Sequence, residues 1–266
     1  MGRPMARRLL VSGHNVSVYN RSRAAVDELA AEGAIPTGSP SDAIKGTELV
    51  LTSLPSVEAV RQVYKEMSQA AADGQVFADH STVDVETSLW CNRALPAFLD
   101  APVSGPPPVA ATDRVTVMAG GEAKHFERAL PAFEAYGGLI RLCGPAGAGT
   151  AVKLVNQLLG GVHTAVAAEA TAFGARLGAD PAVLMEVISA SYGASRMWSR
   201  NLPRFISRDF THATPIRLLL KDMGIVAAAG GVLPLSLVAY DLFERLAEID
   251  GGDQDISAVI KLFEDG

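Results

Sequence analysis

The chain has 266 residues, of which 48% are hydrophobic and 20% charged, with a formal net charge of -6. This is the make-up of an ordinary soluble globular protein, long enough for one large domain or two medium ones. The acidic balance argues against a general affinity for nucleic acid or an anionic membrane, each of which needs a basic face. No run approaches the roughly 18 to 20 apolar residues of a membrane span, and the first ten residues carry three arginines rather than the apolar segment of a secretory signal. Cys91 and Cys143 have no metal-ligand spacing, and the five histidines do not cluster. A cytoplasmic protein with reduced thiols and without a metal is expected.

The opening Met1-Gly2-Arg3-Pro4-Met5-Ala6 reads as the back half of a dinucleotide-binding turn. Gly2 stands where the third glycine of G-x-G-x-x-G lets a helix pack against the first strand. That strand and two glycines would precede Met1. We therefore expect the natural protein to begin roughly 10 to 15 residues earlier, the usual length of a strand plus turn. A chain truly starting at Met1 would be poorly stable and bind its cofactor weakly.

Downstream, β-rich runs over 15–20, 48–54, 75–79, 98–101, 114–118 and 139–143 alternate with helical spacing over 22–31, 57–72, 83–95 and 124–136. Such alternation predicts an α/β fold, a Rossmann-type doubly wound, mostly parallel sheet. After Gly144 to Gly149 the texture changes. Residues 150–178 hold no proline, little charge and many small side chains, which predicts one helix of roughly 40 Å packed against other helices on all sides. Helical spacing returns over 181–187, 217–229, 233–249 and 256–264. The expected domains are a dinucleotide-binding unit, 1–146, and an all-helical unit for substrate and dimerisation, 147–266, joined by the long helix at a hinge near 144–150.

Several constellations carry chemistry. A Rossmann site that binds NAD places a carboxylate about 20 residues past the glycine turn, to hold the ribose hydroxyls. Here that position is Asn20, followed by Arg21 and Ser22, which favours the 2′-phosphate of NADP while leaving NAD possible. The same residues also suit a turn and helix N-cap. Leu54-Pro55 and Ser81-Thr82 follow strands at the ends that face a ligand crevice, although both pairs equally suit helix starts. Ser104-Gly105 offers a hydroxyl and backbone N–H groups to a carboxylate. Lys153, Asn156 and Gln157 share one face of the long helix, continued by Gly160 and Gly161. A lysine among apolar neighbours either faces a cleft, where burial eases proton transfer, or snorkels to solvent. Lys221 and Asp222 are adjacent on a further apolar helix, a spacing that does not by itself make an ion pair.

In this order the pieces resemble the β-hydroxyacid dehydrogenase family, which includes 3-hydroxyisobutyrate dehydrogenase, tartronate semialdehyde reductase and relatives of 6-phosphogluconate dehydrogenase. The resemblance covers essentially the whole chain, from Met1-Gly2 through 100–105 and 147–157 to Lys221-Asp222 and the tail 252–258. It implies an NADP-dependent dehydrogenase or reductase acting on a CH–OH group of a small β-hydroxyacid. Met1, Gly2, Asn20, Arg21, Ser22, Leu54, Pro55, Thr82 and Lys221 would bind the cofactor, with Asp222 holding the region around Lys221 in place. Lys153 would be the general acid and base, Ser104 and Gly105 would hold the substrate carboxylate, and Asn156 and Gln157 would orient the substrate. The Asn-Gln pair is closer to the tartronate semialdehyde reductase branch. The resemblance also implies a homodimer or homotetramer.

One departure stands out: Pro106, Val109 and Asp113 replace three family glycines, and Pro106 removes a potential N–H donor. An imine reductase shares the architecture but usually replaces the lysine. A catalytically silent homologue would keep the fold as a binding or assembly module.

Overall fold

The structure is a computed structural model that describes residues 1–106, 114–211 and 214–264. The chain divides into two compact units, Met1–Lys153 and Leu154–Gly266.

The first unit alternates helices and strands. In order these are α1 (Gly2–Val11), β1 (Ser17–Val18), α2 (Arg23–Ala31), β2 (Ile35–Pro36), α3 (Pro40–Ala43), β3 (Leu49–Thr52), α4 (Val57–Ser68) and β4 (Val76–Asp79). There follow α5 (Val85–Ala94), β5 (Phe98–Asp100), β6 (Val103–Ser104), β7 (Val115–Gly120), α6 (Ala123–Glu134), β8 (Gly137–Gly144) and α7 (Ala148–Arg176), which continues into the second unit. Strands β1 and β2 pair in parallel as a separate two-stranded sheet, while the larger sheet runs β3-β4-β5-β7-β6, with β8 also paired to β7. β3, β4 and β5 are parallel; β7 runs against β5 and β6 and with β8.

Burial follows this layout. All four residues of β4 are buried, as expected of an inner strand covered on both faces. Met5 and Leu9, four apart on α1, join the cluster formed by Val76, Leu99 and Phe133. On the other face Tyr64 of α4 meets Phe98 edge to face at 5.6 Å. Helix starts are chemically marked: Ser56 accepts from Ala59 N and Asp84 from Thr87 N. Ser22 occupies the cap position of α2, but its hydroxyl makes no cap hydrogen bond.

The second unit adds α8 (Pro181–Ser189), α9 (Arg196–Ser207), α10 (Ile216–Ala228), α11 (Pro234–Asp250) and a closing 3-10 helix (Ile256–Phe263). Its core gathers Trp198, Leu202, Phe205, Met223, Phe243, Leu246 and Ile256. Gly161 lets Met223 of α10 approach α7, since a Cβ there would overlap the Met223 side chain. No helix among the described residues is long and apolar enough to cross a membrane.

Two expectations are corrected. The long helix is not covered on all sides: Val152, Val155, Leu159, Val166 and Phe173 remain exposed, at spacings of three, four and seven that make one stripe. Helix α9 escaped the sequence reading because Pro203 and three arginines interrupt its apolar pattern. Trp198, Leu202 and Phe205 nevertheless keep helical spacing and form its buried face.

Candidate active site

The candidate substrate turn leaves the end of β5. Ala101 is clamped from both sides: its N–H donates to Asp79 O at 2.8 Å, and its carbonyl lies 2.5 Å from His80 Nδ1. His80 Nε2 is 2.8 Å from the Tyr136 hydroxyl. Burial pushes the His80 pKa down to about 4, so the ring is neutral at pH 7. A neutral ring has one donor, and the carbonyl claims it; Nδ1–H therefore donates to Ala101 and the Tyr136 hydroxyl donates to Nε2.

From this anchor the chain reaches Ser104, half-buried in β6 and registered against Thr116 of β7. Gly105 follows at φ +133, and a Cβ there would stand 3.3 Å from Arg114 O. Both facts demand glycine. Pro106 is exposed, whereas Val109 and Asp113, two of the three glycine replacements, lie outside the described residues.

Lys153 sits in the second turn of α7 at 7% exposure. The snorkelling alternative is not what the structure shows. One turn on, Asn156 is exposed and donates through Nδ2 to Gln157 Oε1 at 2.9 Å. Gln157 Nε2 donates to Asp222 Oδ2 at 2.5 Å, and the Lys221 ammonium lies 2.7 Å from Asp222 Oδ1. Neighbouring helical residues do pair here, because the long lysine stem folds back over the buried Asp222. Asn156, Gln157, Asp222 and Lys221 thus form one connected polar chain.

At the candidate cofactor end, α1 begins with Met1 at its cap, no side-chain cap bond and no acidic residue in its first turn. The opening amides of a helix have no intrahelical partner and favour an anion. This end lies close to the turn after β3: a Cβ on Gly2 would make an ordinary contact with Ser53 Cβ at 3.5 Å. Asn20, Arg21 and Ser22 are exposed beyond β1, and Asn20 Nδ2 donates to Ser22 O. Arg23 pairs with Asp27 at 2.9 Å; among the described residues no ion pair engages Arg21.

The turns after β3 and β4 are tied together. Leu54 N–H donates to Ser81 Oγ at 2.8 Å, and Ser81 Oγ and Thr52 Oγ1 both donate to Asp79 Oδ1 at 2.6 and 2.7 Å. The Leu54 amide is therefore already committed. Leu54 and Thr82 are half-buried, and Pro55 is exposed. Sequence reasoning missed the organising roles of Asp79, His80 and Asp100. Their signal was a carboxylate or imidazole closing an otherwise apolar buried strand.

A cleft of about 340 Å³ in the second unit, lined by Thr171, Arg176, Phe205, Ile206 and Phe263, contains none of the candidate residues.

Comparison with known proteins agrees with this layout. Residues 1–144 match the NAD binding domain of 6-phosphogluconate dehydrogenase, and residues 147–263 match the NAD-binding region of NADP-dependent 3-hydroxyisobutyrate dehydrogenase. The chain is 34% identical to the L-threonate dehydrogenase of Cupriavidus necator, over 99% of this chain and 93% of that protein. It is 33% identical to the NAD-dependent L-serine dehydrogenase of Pseudomonas aeruginosa, over 99% of this chain and 95% of that protein. The structure of Mycobacterium tuberculosis 3-hydroxyisobutyrate dehydrogenase with L-serine superposes with a TM-score of 0.91 at 32% identity, covering 98% of this chain and 95% of that one. The chain belongs to the β-hydroxyacid dehydrogenase family of nicotinamide-dependent oxidoreductases.

Proposed function

We propose that this protein transfers a hydride between NADP(H) and a small β-hydroxyacid or its semialdehyde or keto form, with Lys153 as general acid in reduction and general base in oxidation. The observation that carries this reading is the burial of Lys153, at 7% exposure, in the second turn of α7. Keeping an ammonium away from water is costly, and proton transfer gives a reason to bear that cost. The named substrates of the relatives, L-threonate, L-serine and 3-hydroxyisobutyrate, all combine a carboxylate with a hydroxyl on the β-carbon.

The residues present fit a nicotinamide dinucleotide. Met1 and Gly2, at the uncapped start of α1, would hold the diphosphate. Asn20, Arg21 and Ser22 would hold the 2′-phosphate, aided by a Ser22 hydroxyl that makes no cap bond. Leu54, Pro55 and Thr82 would line the dinucleotide, and Lys221 is a further proposed cofactor residue. When bound, the nicotinamide supplies or accepts the hydride at the carbinol carbon. Lys153 Nζ gives a proton to the carbonyl oxygen in reduction and removes it from the hydroxyl in oxidation. The Ser104 hydroxyl and the Gly105 turn hold the substrate carboxylate, and Asn156 orients the reacting end. Gln157, bonded on both sides, contributes by holding Asn156.

Residues 1–146 then serve chiefly the cofactor, with Ser104 and Gly105 for the substrate carboxylate, and 147–266 chiefly the substrate and self-association, with Lys221 for the cofactor. The exposed stripe Val152, Val155, Leu159, Val166 and Phe173 favours a homodimer. A monomer by light scattering at micromolar concentration would contradict that. NAD use is a second reading, supported by the NAD-dependent relative. An imine reductase, by contrast, is disfavoured by Lys153.

The test is oxidation of NADPH, and separately NADH, with glyoxylate, tartronate semialdehyde and methylmalonate semialdehyde. Turnover of at least one carbonyl is expected. Tight NADPH binding with no turnover of any would leave the silent homologue standing instead.

A further inference from the structure

Asp100, the last residue of β5, is 1% exposed. Its carboxylate makes no ion pair among the described residues and is satisfied mainly by backbone amides, with the Thr150 side chain as a further hydrogen-bond partner. Gly147 N–H donates to Oδ1 and Thr150 N–H to Oδ2, each at 2.7 Å. Both donors belong to the opening of α7, so a carboxylate from the sheet caps this helix from outside. A charged acceptor on two amides at a helix N-terminus is a strong cap, because the helix dipole adds to both bonds.

The surroundings are built for this approach. A Cβ on Gly120 of β7 would fall 2.6 Å from Asp100 Oδ1 and 2.7 Å from Gly149 N. A Cβ on Gly149 would fall 2.6 Å from Asp100 O and overlap Met118 O. Three elements, β5, β7 and the start of α7, therefore approach closely, with glycine at two of the contact positions. The Thr150 hydroxyl continues the contact to Ser88 Oγ of α5 at 2.8 Å.

The two ends of this joint lead to different parts of the candidate site. Three residues past Thr150, one helical turn, stands Lys153; four residues past Asp100 stands Ser104. We propose that Asp100 is a positioning residue, whose carboxylate grips the first turn of α7 and thereby sets Lys153 relative to the Ser104–Gly105 turn. This rests on the roles given above to Lys153 and Ser104.

The grip depends on charge. Burial raises the Asp100 pKa to about 6 despite the Gly147 and Thr150 hydrogen bonds, so mild acid weakens the cap. The titratable and charged groups on the elements packed around it are Asp79, its register partner on β4, Glu86, Cys91 and Arg93 of α5, Arg141 and Cys143 of β8, and Lys153 near the start of α7; β7 carries none.

The test compares the wild type with Asp100→Asn, which keeps shape but turns an NH2 toward one of the two amides. Reduction is the informative direction, since there Lys153 is the proposed proton donor. The wild type is expected to lose kcat below about pH 6, with the Gly147 and Thr150 amide signals titrating over the same range. In D100N, kcat falls about 10- to 100-fold with KM changed less than threefold, and the acid limb vanishes. A folded D100N with wild-type kcat and an unchanged pH profile overturns the proposal.

If D100N does not fold, Asp100→Glu decides, since it keeps the charge but displaces it by one methylene: a folded D100E with wild-type kcat overturns the proposal, and a lowered kcat supports it. If no carbonyl is reduced at all, the functional reading fails separately. The 13Cε signal of Lys153, assigned by its loss in K153M, then reports placement without substrate. A titration midpoint identical in D100N and wild type would refute the proposal, and a displaced one would support it.

Discussion

Gln157 of α7 donates through Nε2 to Asp222 Oδ2 of α10 at 2.5 Å, while its own Oε1 accepts from Asn156. Two amides that look equivalent in sequence therefore have different tasks. Gln157 satisfies a carboxylate that is 4% exposed, and Asn156 is exposed at the surface. Gln157→Ala should cost about 1 to 3 kcal/mol of stability, the penalty for stripping a partner from a buried acceptor. Asn156→Ala should stay within about 0.5 kcal/mol and instead raise KM. Urea denaturation beside steady-state kinetics separates the two; the reverse pattern would assign the substrate contact to Gln157.

Lys153 carries the proton in the proposed reaction. Lys153→Met should lower kcat by about 100- to 10,000-fold, the usual worth of a general acid. NADPH affinity, read by fluorescence titration, should change little. Lys153→Arg is the stricter variant, because guanidinium keeps the charge yet does not release a proton near neutral pH. An arginine variant retaining more than a tenth of the wild-type kcat would mean that charge alone suffices.

Periodicity made most of the framework legible. The apolar runs of β3, β4, β5 and β8, and the proline-free α7, fall where their residues predict, because burial on a sheet or within a helix bundle imposes those patterns. Two-residue strands such as β2 and β6 carry no period to read. The candidate residues could be named, but their connections could not. Lys153 stood out only as a lysine among apolar neighbours, while Ser104 and Asn156 took their candidate roles from the family resemblance. By contrast, the joint from Asp100 to Thr150 and the bond from Gln157 to Asp222 link residues 50 and 65 positions apart. Local pattern holds no information about such pairs. The Lys221–Asp222 ion pair was missed for another reason: adjacency rules describe where side chains leave the helix, not where a four-carbon stem folds back.

The proposed preference for NADP rests on Arg21. Arg21→Glu puts a carboxylate where ribose hydroxyls are read, so kcat/KM for NADPH should fall about 10- to 100-fold while that for NADH rises. Arg23→Ala is the internal control, since Arg23 is already paired with Asp27 at 2.9 Å. Its substitution should leave the NADPH to NADH ratio within about twofold. Equal effects of the two substitutions would show a general electrostatic attraction in place of a specific phosphate contact.

His80 makes stability depend on pH in a direction that can be worked out. Its folded pKa, about 4, lies below the ordinary 6.5, so between those values the unfolded chain takes up a proton that the folded chain refuses. Stability present above pH 6.5 is therefore lost as pH falls toward 4, by up to about 3 kcal/mol. Asp100 works the other way. Its folded pKa, about 6, lies above the ordinary 3.8, so the folded state gains in relative stability as pH falls from 6 toward 4. The two tendencies overlap and partly cancel in the wild-type curve. The difference between wild type and His80→Asn removes the Asp100 contribution and isolates the imidazole. H80N should be less stable at pH 7, where it loses the fitted clamp between Ala101 and Tyr136, and the gap should close by about 2 kcal/mol at pH 4.5. Urea midpoints measured at both pH values give the answer: a gap of constant size would mean that His80 is protonated in the folded protein.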